Sequence, residues 1–186
     1  VDEERVATRE RYGKHELGRA CLLARRLVER GTRVVVVRDR GWDMHAQIAH
    51  RMTDGFPGKL PGLDLAFSAL IEDLDERGLA DRVSVVLVSE FGRTPRLNPA
   101  GGRDHWPRVH SSLFFGAGLR RGVVVGTSDP RGEEPIERPV SPAEFHATLA
   151  TLVGLPLDMV LRSPDGRPHR LVEDGVAPIR ELLLPS

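Results

Sequence analysis

Three short clusters carry the residue types that could hold a divalent cation or move a proton. They are Gly41-Trp42-Asp43-Met44-His45, Ser89-Glu90-Phe91-Gly92-Arg93-Thr94-Pro95 and Gly102-Arg103-Asp104-His105-Trp106-Pro107. Carboxylate oxygens with imidazole nitrogens, and no thiolate, suit Zn, Mn, Fe or Ni better than Mg or Ca. Asp43, His45, Glu90, Asp104 and His105 are therefore the candidate metal ligands. Each cluster also has a plain structural reading. Asp43 could cap the segment after it, Glu90 could pair with Arg93, and Asp104 could orient an imidazole ring. Arg93 and Arg103 could grip an oxyanion through bidentate bonds, or could neutralise the neighbouring carboxylates.

Other chemistries find little support. Cys21 lies among apolar residues at helical spacing and reads as a small hydrophobe. There is no G-x-S-x-G elbow and no phosphate-cradling glycine loop. His15, His50, His110, His146 and His169 have no recognisable partner and read as structural or surface residues.

The elements that must position the clusters come next. Leu17 to Arg30 reads as a helix with Leu17, Ala20, Cys21, Ala24, Leu27 and Val28 on one face, stopped by Gly31. Val34 to Val37 is a β-branched run that suits a strand buried on both faces. Pro61 to Arg77 predicts a second helix, and Val83 to Val88 another buried strand. Strand, helix, strand would be a βαβ unit with parallel strands. Both strands would then open their following loops on one sheet edge, placing Asp43 and His45 near Glu90. An antiparallel strand from Ser112 would bring Asp104 and His105 to the same edge. Val123 to Val125 reads as a further short strand. Ser141-Pro142-Ala143-Glu144 is a capping box opening a helix whose apolar face is Phe145, Leu149, Leu152 and Val153, with Gly154 at its end. The stretch from Arg162 onward is rich in Pro, Gly and charge and reads as irregular. The class expected is α/β.

Composition narrows the function classes. The chain has 186 residues, with 27 Lys plus Arg balanced by 27 Asp plus Glu. That balance excludes nucleic-acid binding driven by bulk charge. No apolar run approaches the ~20 residues of a membrane span. A single cysteine excludes an internal disulfide framework and a cysteine-cluster metal site.

The strings Gly41-Trp42-Asp43-Met44-His45, Leu60-Pro61-Gly62-Leu63-Asp64, Glu90-Phe91-Gly92-Arg93-Thr94-Pro95 and Gly102-Arg103-Asp104-His105-Trp106-Pro107 resemble the bacterial "domain of unknown function 1501" family. The resemblance covers essentially the whole chain. It implies membership of the sulfatase-like, alkaline-phosphatase-like superfamily and a three-layer αβα sandwich with a mostly parallel sheet. It also implies a site at the strand ends for one or two divalent ions, Zn or Mn foremost, that cleaves phosphate or sulfate esters of small molecules or glycans. Asp43 and His45 resemble one ligand set, Glu90 stands in a second, and His105, with Asp104, resembles a third; Arg93 and Arg103 would steady the anion. Phe91 stands where the superfamily usually places a metal-binding histidine. The nucleophile would lie upstream of Val1, so the chain is expected to be the carboxyl-terminal part of one domain whose partner is its own amino-terminal half. Relatives commonly start with a twin-arginine export signal, which implies a periplasmic or exported parent. The alternative is a non-catalytic member that keeps the metal site to bind a sulfated or phosphorylated glycan or a protein.

Overall fold

The computed structural model describes residues 4–53 and 58–185. These divide into two compact units. One holds the chain up to Val83 together with Glu90–His110; the other holds Ser84–Ser89 and the chain from Ser111 onward.

The first unit is helical, with α1 at Val6–Arg11, α2 at Glu16–Glu29, α3 at Ile48–Thr53 and α4 at Lys59–Glu76. The second and fourth are the two helices expected from periodicity. Gly31 ends α2 at φ +91°, with Thr32 N–H donating to the Leu27 carbonyl at 3.0 Å. Pro61 sits inside the first turn of α4, where a missing N–H costs nothing because those donors have no intrahelical acceptor. Helix α2 opens on His15, whose Nδ1 accepts the Gly18 N–H at 3.2 Å.

The buried face of α2 is rotated from the expected one. Gly18, Cys21, Leu22, Ala24 and Arg25 are buried, while Leu27 is exposed. Arg25 causes the rotation. Its Nε donates to Asp73 Oδ2 of α4 at 2.8 Å, and Tyr12 Oη donates to the same oxygen at 2.9 Å. Arg77 Nε reaches Asp73 Oδ1 at 2.7 Å, and the other Arg25 nitrogens bond Glu29 and Glu4. Apolar periodicity cannot see a helix contact built on a buried ion pair.

Two more strands complete the first unit: β2 at Gly92–Arg93 and β3 at His105–Trp106, named after β1 at Ser84–Leu87 of the second unit. They pair antiparallel, Arg93 opposite His105. In the second unit β1 pairs antiparallel with β4 at Leu113–Gly116. There too β5 (Thr127–Ser128) pairs with β6 (Pro135–Glu137), and after α5 (Pro142–Leu152), β7 (Val160–Arg162) pairs with β8 (Pro168–Arg170). A 3-10 turn follows at Arg180–Leu182.

This overturns the expected three-layer αβα sandwich with a mostly parallel sheet. Every ladder among the described residues is antiparallel and two-stranded. Residues 33–37 form no strand, and Val34 and Val36 stand 67% and 76% exposed. A β-branched run favours pleated backbone locally, but a parallel ladder needs neighbouring strands to supply its bonds and cover its faces. No described strand flanks this run, so the βαβ unit is absent. Val123–Val125 is likewise outside any strand, with Val124 90% exposed.

The capping box is present as expected: Ser141 Oγ accepts the Glu144 N–H at 3.1 Å, and the Ser141 N–H donates to Glu144 Oε2 at 2.9 Å. The buried side of α5 is Ala147, Thr148 and Ala150, whereas Val153 is exposed. Small residues let Val172, Leu157, Leu171 and Val176 pack closely there, and Thr148 Oγ1 accepts the Ile179 N–H at 2.9 Å. The stretch after Arg162 is more ordered than expected. Ser163-Pro164-Asp165-Gly166 is a turn that joins β7 to β8, with the Ser163 N–H donating to the Arg167 carbonyl at 3.0 Å.

Candidate metal centre

Two loops of the first unit build the site, the segment Asp43–Gln47 and the β2–β3 connection. They are joined by their own backbone. Arg103 N–H donates to the Met44 carbonyl at 3.1 Å, Gln47 N–H to the Ala100 carbonyl at 3.1 Å, and Ile48 N–H to the Gly101 carbonyl at 2.9 Å. Met44 is buried and anchors its loop, which lets the flanking Asp43 and His45 face outward. Gln47 takes φ +50°, a left-handed conformation that a non-glycine residue adopts only under constraint from its surroundings. Gly102 is required sterically, because a Cβ there would lie 2.0 Å from the His45 carbonyl carbon.

The side chains converge on one carboxylate oxygen. Asp43 Oδ1 lies 3.0 Å from His45 Nε2, 3.0 Å from His105 Nε2 and 2.6 Å from an Arg93 terminal nitrogen. Behind His45, Asp104 Oδ1 is 2.7 Å from Nδ1. Behind His105, the Phe91 ring packs at 4.2 Å between centroids, and Arg93 lies over that ring. Hydrogen bonds from His105 and Arg93 hold Asp43 well below the usual carboxylate range, and those from His45 and Asn98 lower Asp104. Both acids are therefore anionic at neutral pH.

Asp43, His45 and His105 are the described residues whose ligand atoms lie within 4.8 Å of one another. Their chemistry fits a divalent cation. Asp104 accepts a hydrogen bond from His45 Nδ1, which aims Nε2 at the anionic Asp43 oxygen. Two lone pairs at 3.0 Å repel unless a proton or a cation lies between them. An imidazole backed by a carboxylate is also the usual arrangement of a metal-bound histidine. All three side chains are exposed, so an ion held by these three donors would keep further coordination positions open to solvent.

The other candidate residues take different positions. Glu90 is exposed and stands outside this group, although it precedes Phe91 directly. Asp104 belongs to the site, with Oδ1 turned to His45 and Asn98. Arg103 donates to the Thr94 and Pro95 carbonyls and so braces the loop. Arg93 bridges Asp43 and the Arg103 carbonyl.

Two residues that sequence reasoning passed over belong here as well. Thr94 Oγ1 accepts the Asp104 N–H at 3.1 Å, while Thr94 N–H donates to the Asp104 carbonyl at 2.9 Å. Asn98 contacts both loops. The available signal was Asn98-Pro99-Ala100-Gly101, a pattern that reads only as a turn.

Two loops that bring an aspartate and two histidines into one exposed cluster define a candidate metal-site protein. Residues 1–183 match the family model described as "Protein of unknown function (DUF1501)", and the chain belongs to that family. No curated protein and no solved structure matches it significantly. No helix among the described residues is long and apolar enough to cross a membrane.

Proposed function

We propose that this chain carries the metal-binding centre of a phosphate- or sulfate-ester hydrolase. The observation that carries the reading is the convergence of Asp43, His45 and His105 on one point, with Asp104 behind His45. Asp43 Oδ1 and the two Nε2 atoms would hold a single divalent ion, with Zn or Mn suiting the donor set. Such an ion polarises an ester oxygen and stabilises the charge that develops on it. The chain's own residues would do the rest. Asp104 keeps the His45 ring turned so that Nε2 faces the centre. Arg93, bonded to Asp43 at the edge of the centre, is placed to share an anionic ester group. Phe91 packs against the ring of His105 and brings no ligand atom where the resemblance would place a second histidine, which favours one ion over two.

The substrate in this reading is a small-molecule or glycan ester, and the nucleophile is supplied by the amino-terminal half of the same domain. An exported parent protein accords with it. Metal analysis after dialysis tests the centre. Wild-type protein should retain close to one equivalent of a transition metal, and below about 0.2 equivalents the reading is wrong, because a site with this donor set retains its ion. Asp43→Asn, His45→Gln and His105→Gln should each empty it, whereas Glu90→Gln should not. A protein spanning both halves should then hydrolyse aryl phosphate or aryl sulfate only when metal-loaded. Stable loading without turnover would favour a non-catalytic role in binding a sulfated or phosphorylated glycan.

A further inference from the structure

Asn98 sits where the two site loops meet, and its side-chain amide is satisfied on both ends. Its Oδ1 accepts the N–H groups of Ala100 and Gly102, each at 3.0 Å. Those two bonds fix the orientation of the amide, because only the oxygen can accept. The Nδ2 group therefore faces the other way and donates to the His45 carbonyl at 2.9 Å and to Asp104 Oδ1 at 3.1 Å. Asp104 Oδ1 is the same atom that lies 2.7 Å from His45 Nδ1. One amide thus grips the backbone of His45 and the carboxylate that orients its ring.

We infer that Asn98 is the positioning residue of the metal centre, acting on His45 through both its carbonyl and Asp104; this rests on the metal-centre reading above. A carboxylate next to an imidazole can rotate and offer either oxygen, so Asp104 alone does not define the ring plane. The Asn98 N–H group pins Oδ1, and with it the Nδ1–H of His45, so that Nε2 is aimed at the Asp43 oxygen. The turn that Asn98 also caps makes the hold rigid: Gly101 N–H donates to the Asn98 carbonyl and Asn98 N–H to the Gly102 carbonyl, both at 2.9 Å. Partners of this kind around a metal-bound histidine are commonly worth about 10–100-fold in metal affinity.

Asn98→Asp separates the two roles. It keeps an oxygen to accept from Ala100 and Gly102 but sets an anionic oxygen against the His45 carbonyl and Asp104. Asn98→Ser removes the amide donor without adding charge, and it supplies the comparison should Asn98→Asp fail to fold. Two readouts are taken on the full chain: Zn2+ affinity by competition with a chromophoric chelator, and the hydrogen bond from His45 Nδ1–H to Asp104 in metal-free protein, followed by the Nδ1 signals in long-range 1H–15N spectra assigned against His45→Gln. The wild type should show a proton held on Nδ1 by Asp104. Both variants should loosen that bond, moving the Nδ1 signals, and bind Zn2+ about 10–100-fold more weakly. Wild-type Nδ1 signals and wild-type affinity in both variants would overturn the inference. If the wild type binds no Zn2+, the metal-centre reading fails, and the Nδ1 comparison alone decides the role of Asn98: a shift supports it and no shift refutes it.

Discussion

Arg25 Nε donates to Asp73 Oδ2 over 2.8 Å, and both side chains are almost wholly removed from solvent. This pair joins α2 to α4, and Tyr12 closes it from the side with a hydrogen bond to the same oxygen. Burial raises the cost of a charged Asp73, yet the bonds from Arg77 and Tyr12 and the charges of Arg25 and Arg77 outweigh it, so its acid dissociation is pulled below the ordinary value of 3.8.

Asp73→Asn should therefore destabilise the protein strongly, by roughly 3 kcal/mol, because it leaves the buried Arg25 undercompensated. Tyr12→Phe removes one bond to a charged acceptor and should cost about 1.5 kcal/mol. Urea unfolding would check both through the midpoint, with the slope unchanged. The sign with pH follows from the lowered dissociation. The contribution of Asp73 is complete well above its ordinary value of 3.8 and is progressively lost as pH falls through and below that value. Wild-type stability should fall more steeply in acid than that of Asp73→Asn.

Cys21 is buried on α2, and burial together with the Asp39 charge pushes its thiol up to about 11 from an ordinary 9.0. The folded state thus favours the neutral thiol. Its contribution is whole below pH 9 and fades between 9 and 11, where the unfolded chain ionises first. Thermal melts of wild type and Cys21→Ala across this range should show the wild type losing relative stability as pH rises. At pH 8 the native thiol should resist a disulfide reagent that labels the urea-unfolded chain at once.

Gly102→Ala tests the backbone closeness of the two site loops. The added methyl would stand 2.0 Å from the His45 carbonyl carbon and 2.2 Å from its oxygen, so the loops must part. Metal retention should drop as far as in Asp43→Asn, while far-ultraviolet circular dichroism keeps the signal of α2 and α4. Retained metal would show that the loops can yield without opening the centre.

The capping box of α5 gives a stability prediction independent of the site. Ser141→Ala removes the side-chain acceptor for the Glu144 N–H and should cost about 1 kcal/mol. Ser141→Asp, which keeps an acceptor, should cost much less, and thermal unfolding would rank the two.

The grouping of candidate residues was legible because metal ligation would need particular side chains, and Asp43, His45, Asp104 and His105, which the fold brings together, stand in short, recognisable strings. The route by which they were expected to meet was not the one the chain takes. A shared edge of a parallel sheet was the expected scaffold; two loops zipped by Arg103, Gln47 and Ile48 are the observed one. Glu90 was grouped with the ligands on that sheet geometry, and without the sheet it stands apart. Asn98 escaped notice because its turn-forming oxygen explains its presence in the sequence, whereas its amide nitrogen also acts on His45, 53 positions away.

Local interactions determined what the sequence alone could tell. Helices α2, α4 and α5 follow from apolar spacing, from glycines beyond their ends and from one capping box, all of which act within a few residues. Tertiary structure decided which faces those helices bury, because Arg25 and Asp73 meet across 48 residues and only their pairing makes either tolerable in the interior. It also decided strand partners: β-branched residues favour a pleated backbone wherever they occur, but a ladder forms only where a second strand is present, as for β1 beside β4 and not for Val34–Val37.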